Sequence, residues 1–363
     1  MVEDRDELVM TPGPTALPPE VREAMSQPIL NPDVEVGFTD YYRSLLEKLA
    51  AIYDTDEEVL ILGGEGMLGL EASVASLIEP GEHVLCLANG IFGEGFADLA
   101  AMHGGEPTIH RAPFDSGFDV DDVKSLVETN DFTAATMVHC ETPTGLLNDL
   151  EEVSGVLQDA GIITIVDAVS SLGGTPVPTD GIDVCLGASQ KCFSSPPGLT
   201  TLSVSDRAWE KIERTDQDTF YTSLGPWQGI ALDTDEPVLL PYTHLISNLY
   251  ALEASLDRLL AEGLETVYER HTRAAEQCRE RGREIGLEPY PSSTDLCSPT
   301  VTAFKVEGQA NEVQRRLAGE HDIVIATSLG NVANDIIRIG HMGYNADQDR
   351  VEQTMEALAD VMR

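Results

Sequence analysis

Lysine is scarce in this chain of 363 residues, which carries five: Lys48, Lys124, Lys191, Lys211 and Lys305. Four stand in charged helical or surface-like contexts, such as Glu47-Lys48 and Glu210-Lys211. Lys191 differs, lying in Gly187-Ala-Ser-Gln-Lys-Cys-Phe-Ser-Ser-Pro-Pro-Gly198 directly after an apolar run. A lysine among small and apolar residues past a strand end can be desolvated, which lowers its pKa and frees the amine for imine chemistry. On local context alone, a lysine on an exposed loop is the simpler reading. Asp167 ends Ile162-Ile-Thr-Ile-Val-Asp167. A carboxylate closing a buried strand needs a cation, and a protonated pyridine nitrogen is one that turns a ring into an electron sink. A turn or helix-capping aspartate is as good a reading of that segment by itself. The spacing of Asp167 from Lys191, one short excursion and one strand, favours the joint reading.

Other segments offer partners for a flat, phosphorylated ligand. Gly63-Gly64-Glu65-Gly66-Met67 follows an apolar run and opens a helical one. Glycines there let backbone N–H groups approach a phosphate, although Glu65 is electrostatically awkward and many plain turns are glycine-rich. Phe92, in Asn89-Gly90-Ile91-Phe92-Gly93, can stack on a ring or simply enter the core. Thr142 lies in His139-Cys-Glu-Thr-Pro-Thr-Gly145, a strand end rich in hydroxyls. Arg338 interrupts the apolar run Ile336-Ile-Arg-Ile-Gly340. A buried arginine needs an anion, either a substrate carboxylate or a structural acid.

These residues must be positioned by alternating elements. Apolar runs predict strands at Glu58–Leu62, Val84–Leu87, Ala134–His139, Ile162–Asp167, Asp183–Gly187 and Leu199–Val204. Helical patterns lie between several of them, at Leu68–Ile78, Phe92–His103, Val120–Glu128 and Leu150–Ala160. Such alternation indicates a mainly parallel α/β sheet covered on both faces. Asp206–Pro241 reads as irregular. Long helices follow near Thr243–Glu262 and Leu264–Ile285. A smaller unit closes the chain, with strands near Val301–Val306, Val324–Ala326 and Ile336–Ile339 and helices Asn311–Leu317 and Ala346–Val361.

Composition narrows the setting. The 63 acidic residues against 22 basic ones give a formal net charge of −41. Such a surface repels nucleic-acid backbones and anionic membranes, so neither is an expected partner. Acids spread over every helical pattern point to a halophilic source. No run of ~18 apolar residues is present, so no spanning helix is expected. The acidic start Met1–Asp6 is unlike a signal peptide, and the expected location is the cytoplasm. The six cysteines lack metal-ligand spacing, so neither metal nor disulfide is expected.

Taken together, these segments resemble the class V, fold-type I pyridoxal-phosphate aminotransferases, especially the alanine–glyoxylate and serine–pyruvate group. The resemblance runs from Thr11-Pro-Gly-Pro-Thr15 to Arg338-Ile-Gly-His-Met-Gly343, and is most specific in Val166-Asp-Ala-Val-Ser-Ser-Leu-Gly-Gly174 and Ser189-Gln-Lys-Cys192. It implies a mainly parallel seven-stranded sheet with helices on both faces and a smaller C-terminal α+β domain. The division would be an N-terminal segment 1–18, a cofactor domain 19–255 and a small domain 256–363.

The resemblance also implies roles. Lys191 would carry pyridoxal 5′-phosphate as a Schiff base and shuttle the proton, while Asp167 pairs with the ring nitrogen. Phe92 would stack on the ring, with Thr142 near its hydroxyl and Gln190 near the phosphate. The backbone of Glu65, Gly66 and Met67 would cradle that phosphate, and Thr243 would reach it from the partner subunit of a homodimer with shared sites. Arg338 would clamp the substrate carboxylate. Where the family usually has Gly-Ser-Gly-Thr, this chain has Gly64-Glu65-Gly66-Met67. Two hydroxyl donors are thus missing, and Glu65 would have to turn away. The expected reaction is a ping-pong transfer from alanine or serine to glyoxylate or pyruvate. Rival readings are a 2-aminoethylphosphonate donor, a lyase or desulfurase on the same cofactor, and a binding protein without turnover.

Overall fold

The computed structural model describes residues 7–216 and 219–363, so the acidic start Met1–Asp6 lies outside the described residues. Its centre is a seven-stranded sheet of β1 (Glu58–Gly63), β2 (His83–Ala88), β3 (Glu106–Arg111), β4 (Ala134–Val138), β5 (Ile163–Asp167), β6 (Val184–Ala188) and β7 (Leu199–Val204). Their spatial order is β1-β7-β6-β5-β4-β2-β3. All run parallel except β7, which is antiparallel to both β1 and β6. The six parallel strands therefore end on one edge.

Alternate side chains explain why the apolar runs are continuous. Among the described residues, the first eight helices are α1 (Pro19–Ala24), α2 (Val36–Tyr53), α3 (Gly66–Leu77), α4 (Ile91–Met102), α5 (Val120–Thr129), α6 (Leu150–Asp159), α7 (Asp206–Ile212) and α8 (Ile246–Glu262). Val59, Ile61, Leu85, Leu87 and Val166 enter one core with α2, α6 and α8. Leu60, Leu62, Val84, Cys86 and Ile165 enter the other with α3 and α4. A strand buried on both faces has no polar side to show.

The C-terminal unit is a three-stranded antiparallel sheet with Ile336–Ile339 in the centre, flanked by Thr302–Lys305 and Ala326–Thr327. Helices Leu264–Glu284, Ala310–His321 and Gln348–Val361 cover it around a third core. Met10 belongs to that core, and Leu8–Val9 pairs in parallel with Ile323–Val324. The N-terminal segment is thus anchored on the C-terminal unit before Pro12–Thr15 crosses back to the large sheet.

Several elements differ from the sequence reading. Strand β3 and helix α2 are additional. The region Asp206–Pro241 holds a helix at Asp206–Ile212 and a short turn at Gly225–Trp227 that buries Trp227. Helix α8 begins at Ile246, which leaves Thr243 in the preceding loop. Among the described residues, no helix is long and apolar enough to cross a membrane.

Candidate active site

The parallel strands deliver their C-terminal ends, and the turns after them, to one edge of the sheet, where open α/β sheets bind ligands. A cavity of about 330 Å³ opens there. Strand β5 contributes Asp167, the loop after β6 contributes Gln190 and Lys191, and the turn after β4 contributes Thr142. The start of α3 supplies Glu65, Gly66 and Met67, and the start of α4 supplies Phe92. Eight residues expected at one site thus line one cavity.

Lys191 is half-buried, and its Nζ donates to the Pro12 carbonyl at 2.7 Å. Desolvation holds its pKa below the usual lysine range, with the charge of Arg338 adding to the effect. Asp167 is only 6% exposed. Its Oδ1 accepts from the Val169 N–H at 2.8 Å, so the turn-capping reading is also true of it. Burial pushes its pKa up to about 6, against the lowering by its Val169 hydrogen bond and by the charge of Lys191. A buried carboxylate of this kind gains from a cation above it.

Thr142 shares a hydroxyl hydrogen bond with Ser170, which also lines the cavity. Gln190 exposes 6% of its surface, and its Oε1 is buried without a hydrogen-bond partner. Arg338 is buried in the central strand of the small sheet. Its Nε and Nη2 donate to the Thr327 carbonyl at 2.8 and 2.6 Å, and its Nη1 to the Thr142 carbonyl at 3.4 Å. Burial lowers its pKa to about 10. It lies behind Thr142 and is not itself part of the cavity lining. Thr243 is exposed and lines a separate groove with Asn31 and Asn248. The structure of the single chain does not bring Thr243 to Lys191.

Two residues of this region carry no obvious signal in the sequence. Gly13 has φ +97°, and a Cβ there would fall 2.4 Å from Lys191 Cδ. Only the Pro-Gly-Pro punctuation hints at it. Glu141 is fully buried, its Oε1 accepting from the Gly93 N–H at 2.7 Å and its Oε2 from the Phe92 N–H at 3.3 Å. It thereby ties the first turn of α4, and Phe92 with it, to the turn that carries Thr142. Burial pushes its pKa up to about 7.

The family model described as "Aminotransferase class-V" matches residues 10–353. The chain is a class-V aminotransferase. An aminotransferase of Methanocaldococcus jannaschii is 33% identical over 94% of this chain and 89% of its own length. The pyridoxamine–pyruvate transaminase of Mesorhizobium japonicum is 31% identical over 98% of this chain and 91% of its own. The crystal structure of an alanine–glyoxylate aminotransferase from Nostoc superposes with a TM-score of 0.92 at 30% identity, covering 98% of this chain and 95% of that one. Class-V aminotransferases are pyridoxal-phosphate enzymes of fold-type I, and this member of the family moves an amino group to a 2-oxo acid.

The two halves of the cofactor meet different surroundings in this aminotransferase. Lys191, Asp167 and Phe92 suit a pyridine ring bearing an aldehyde, while Gln190, expected near the phosphate, lines the same cavity with its Oε1 unpartnered. At the phosphate turn, Glu65 does not turn away: its Oε1 accepts from the Met67 N–H at 3.2 Å, as the N-cap of α3. Among the cavity-lining residues, Lys191 is the one cation against the carboxylates of Glu65 and Asp167. The ring half fits and the phosphate half meets an anion.

Proposed function

We propose that the chain transfers the amino group of a small amino acid, alanine or serine, to glyoxylate or pyruvate by a ping-pong mechanism. The observation that carries the choice of substrate is Arg338: it is buried, has no ion-pair partner among the described residues, and bonds to the Thr142 carbonyl of the cavity wall. A guanidinium so placed is suited to one carboxylate. No arginine lines the cavity itself, so none is placed to receive the second carboxylate of a dicarboxylate.

When bound, pyridoxal phosphate supplies the electron sink. The chain supplies the rest. Lys191, whose pKa desolvation lowers, would take the proton from the substrate Cα and return it at the carbon that bears the amino group on the ring. Asp167 would hold the ring nitrogen protonated, Phe92 would pack against the ring and Thr142 would orient the ring hydroxyl, all three lining the cavity.

The same reading makes the molecule a cytoplasmic homodimer of a salt-rich cell, with Thr243 completing the partner's site. Its exposed position in the loop before α8 supports that role. The division at 1–18, 19–255 and 256–363 belongs to this reading too, and limited proteolysis of the holoenzyme tests it.

The substrate assignment is tested by steady-state kinetics with alanine, serine and aspartate as donors. Arg338→Lys should raise KM for alanine about 10- to 100-fold, the worth of a bidentate charged hydrogen bond, with a smaller effect on kcat. An unchanged KM, or aspartate as the preferred donor, would overturn the assignment.

A further inference from the structure

We propose that Glu65 sets the phosphate end of the cavity against a phosphate, so that the unphosphorylated ring passes through the site as an amino-group substrate: pyridoxamine enters and pyridoxal leaves. This deepens the transaminase reading above and rests on its assignment of Lys191 and Asp167 to the ring.

Three observations converge on Glu65. Its carboxylate accepts the Met67 N–H at the first turn of α3, the group a phosphate would otherwise take. The residue two places on is Met67, 45% exposed, whose side chain has no hydrogen to donate to a phosphate oxygen. The cavity lining has two carboxylates and a single cation, Lys191, which the transaminase reading assigns to the aldehyde end and whose Nζ donates to the Pro12 carbonyl. A phosphate offers acceptors where Glu65 already offers acceptors, and it adds negative charge. A hydroxymethyl group on the same ring carbon instead offers one O–H donor to a waiting carboxylate. Without a phosphate grip the ring is held through its nitrogen, its face and its link to Lys191, and it exchanges when that link opens.

The transfer balances without a further reagent. The C4′–N bond of pyridoxamine breaks and a C–N bond forms at the carbonyl carbon of the 2-oxo acid. Water released in the condensation returns in the hydrolysis that leaves the C4′ aldehyde. C4′ is oxidised by two electrons, the carbonyl carbon is reduced by two, and Lys191 carries the proton from one to the other.

The test uses the full-length protein stripped of any ring and kept in molar KCl. Binding of pyridoxal and of pyridoxal phosphate is measured by equilibrium dialysis, and pyridoxal formation from pyridoxamine and pyruvate by absorbance. The native protein should favour pyridoxal and turn over pyridoxamine. Glu65→Ser should tighten pyridoxal phosphate relative to pyridoxal by about 10- to 100-fold, the worth of a regained charged hydrogen bond. Glu65→Gln, which keeps an acceptor for the Met67 N–H, should move the ratio the same way while leaving the melting temperature unchanged. Retention of one pyridoxal phosphate per chain through gel filtration, with no change of ratio in either variant, overturns the proposal while leaving alanine–glyoxylate transfer intact. If neither ring becomes attached to Lys191, this proposal and the transaminase assignment of Lys191 fall together.

Discussion

Lys191 sits where three independent constraints meet: the Pro12 carbonyl, the bare backbone of Gly13 and the charge of Arg338. Gly13 is the most exacting of them. Its φ of +97° disfavours any side chain, and a Cβ would strike Lys191 Cδ and Cε at 2.4 and 2.7 Å. Gly13→Ala should therefore displace the lysine and cut kcat by about 100-fold, the cost of an error near 1 Å in a reacting group. A fully active variant would show that the loop carries no positioning role. Lys191 and Asp167 are legible from sequence because each breaks a local rule, an amine among apolar neighbours and an acid closing a buried strand. Gly13 and Glu141 are not, since their work depends on contacts spanning 178 and 48 residues of chain. Glu65 is legible as an anomaly, but its direction is not: only the geometry shows the carboxylate facing the Met67 N–H.

At the scale of elements, α4 depends on Glu141. The buried carboxylate fills the space left by Gly90, whose Cβ would lie 2.2 Å from Glu141 Cδ, and accepts two N–H groups of the first turn. Burial raises its pKa from 4.5 to about 7, so its contribution to stability is complete below pH 4.5 and is lost as pH rises through about 7. Glu141→Gln removes that dependence. Relative to the native chain, the variant should gain about 2–3 kcal/mol on going from pH 5 to pH 8, read from urea midpoints. A gap between the two proteins that stays constant with pH would refute the assignment.

Elements buried on both faces are legible because their apolar runs are unbroken. Strand β3 (Glu106-Pro-Thr-Ile-His-Arg111) lies at the sheet edge, is only partly buried and contains proline, so it presents no such run. Helix α2 has Phe38, Tyr42, Leu45, Leu49 and Ile52 at helical spacing, but its N-cap residue, Glu35, makes no side-chain capping bond, so its start carries no signal. Helix Asp206–Ile212 is two turns long and too short for periodicity to stand out.

The whole molecule carries a charge of −41. Its surface pairs, such as Arg273 with Glu269, engage only a fraction of the 63 acids. Repulsion among the rest is screened over ~10 Å in 0.1 M salt and over ~3 Å at 1 M. Raising KCl from 0.1 to 2 M should increase the melting temperature, by about 2–4 °C for each kcal/mol of repulsion removed. A melting temperature that falls with salt would contradict the halophilic reading. The central claim is that one of five lysines attaches the ring. The most direct measurement is reduction of the ring-loaded protein with borohydride, followed by peptide mapping by mass. The account predicts a single modified peptide, containing Lys191, with no label at that peptide in Lys191→Ala. A label spread over Lys48, Lys124, Lys211 and Lys305, or no label on the Lys191 peptide, would contradict it.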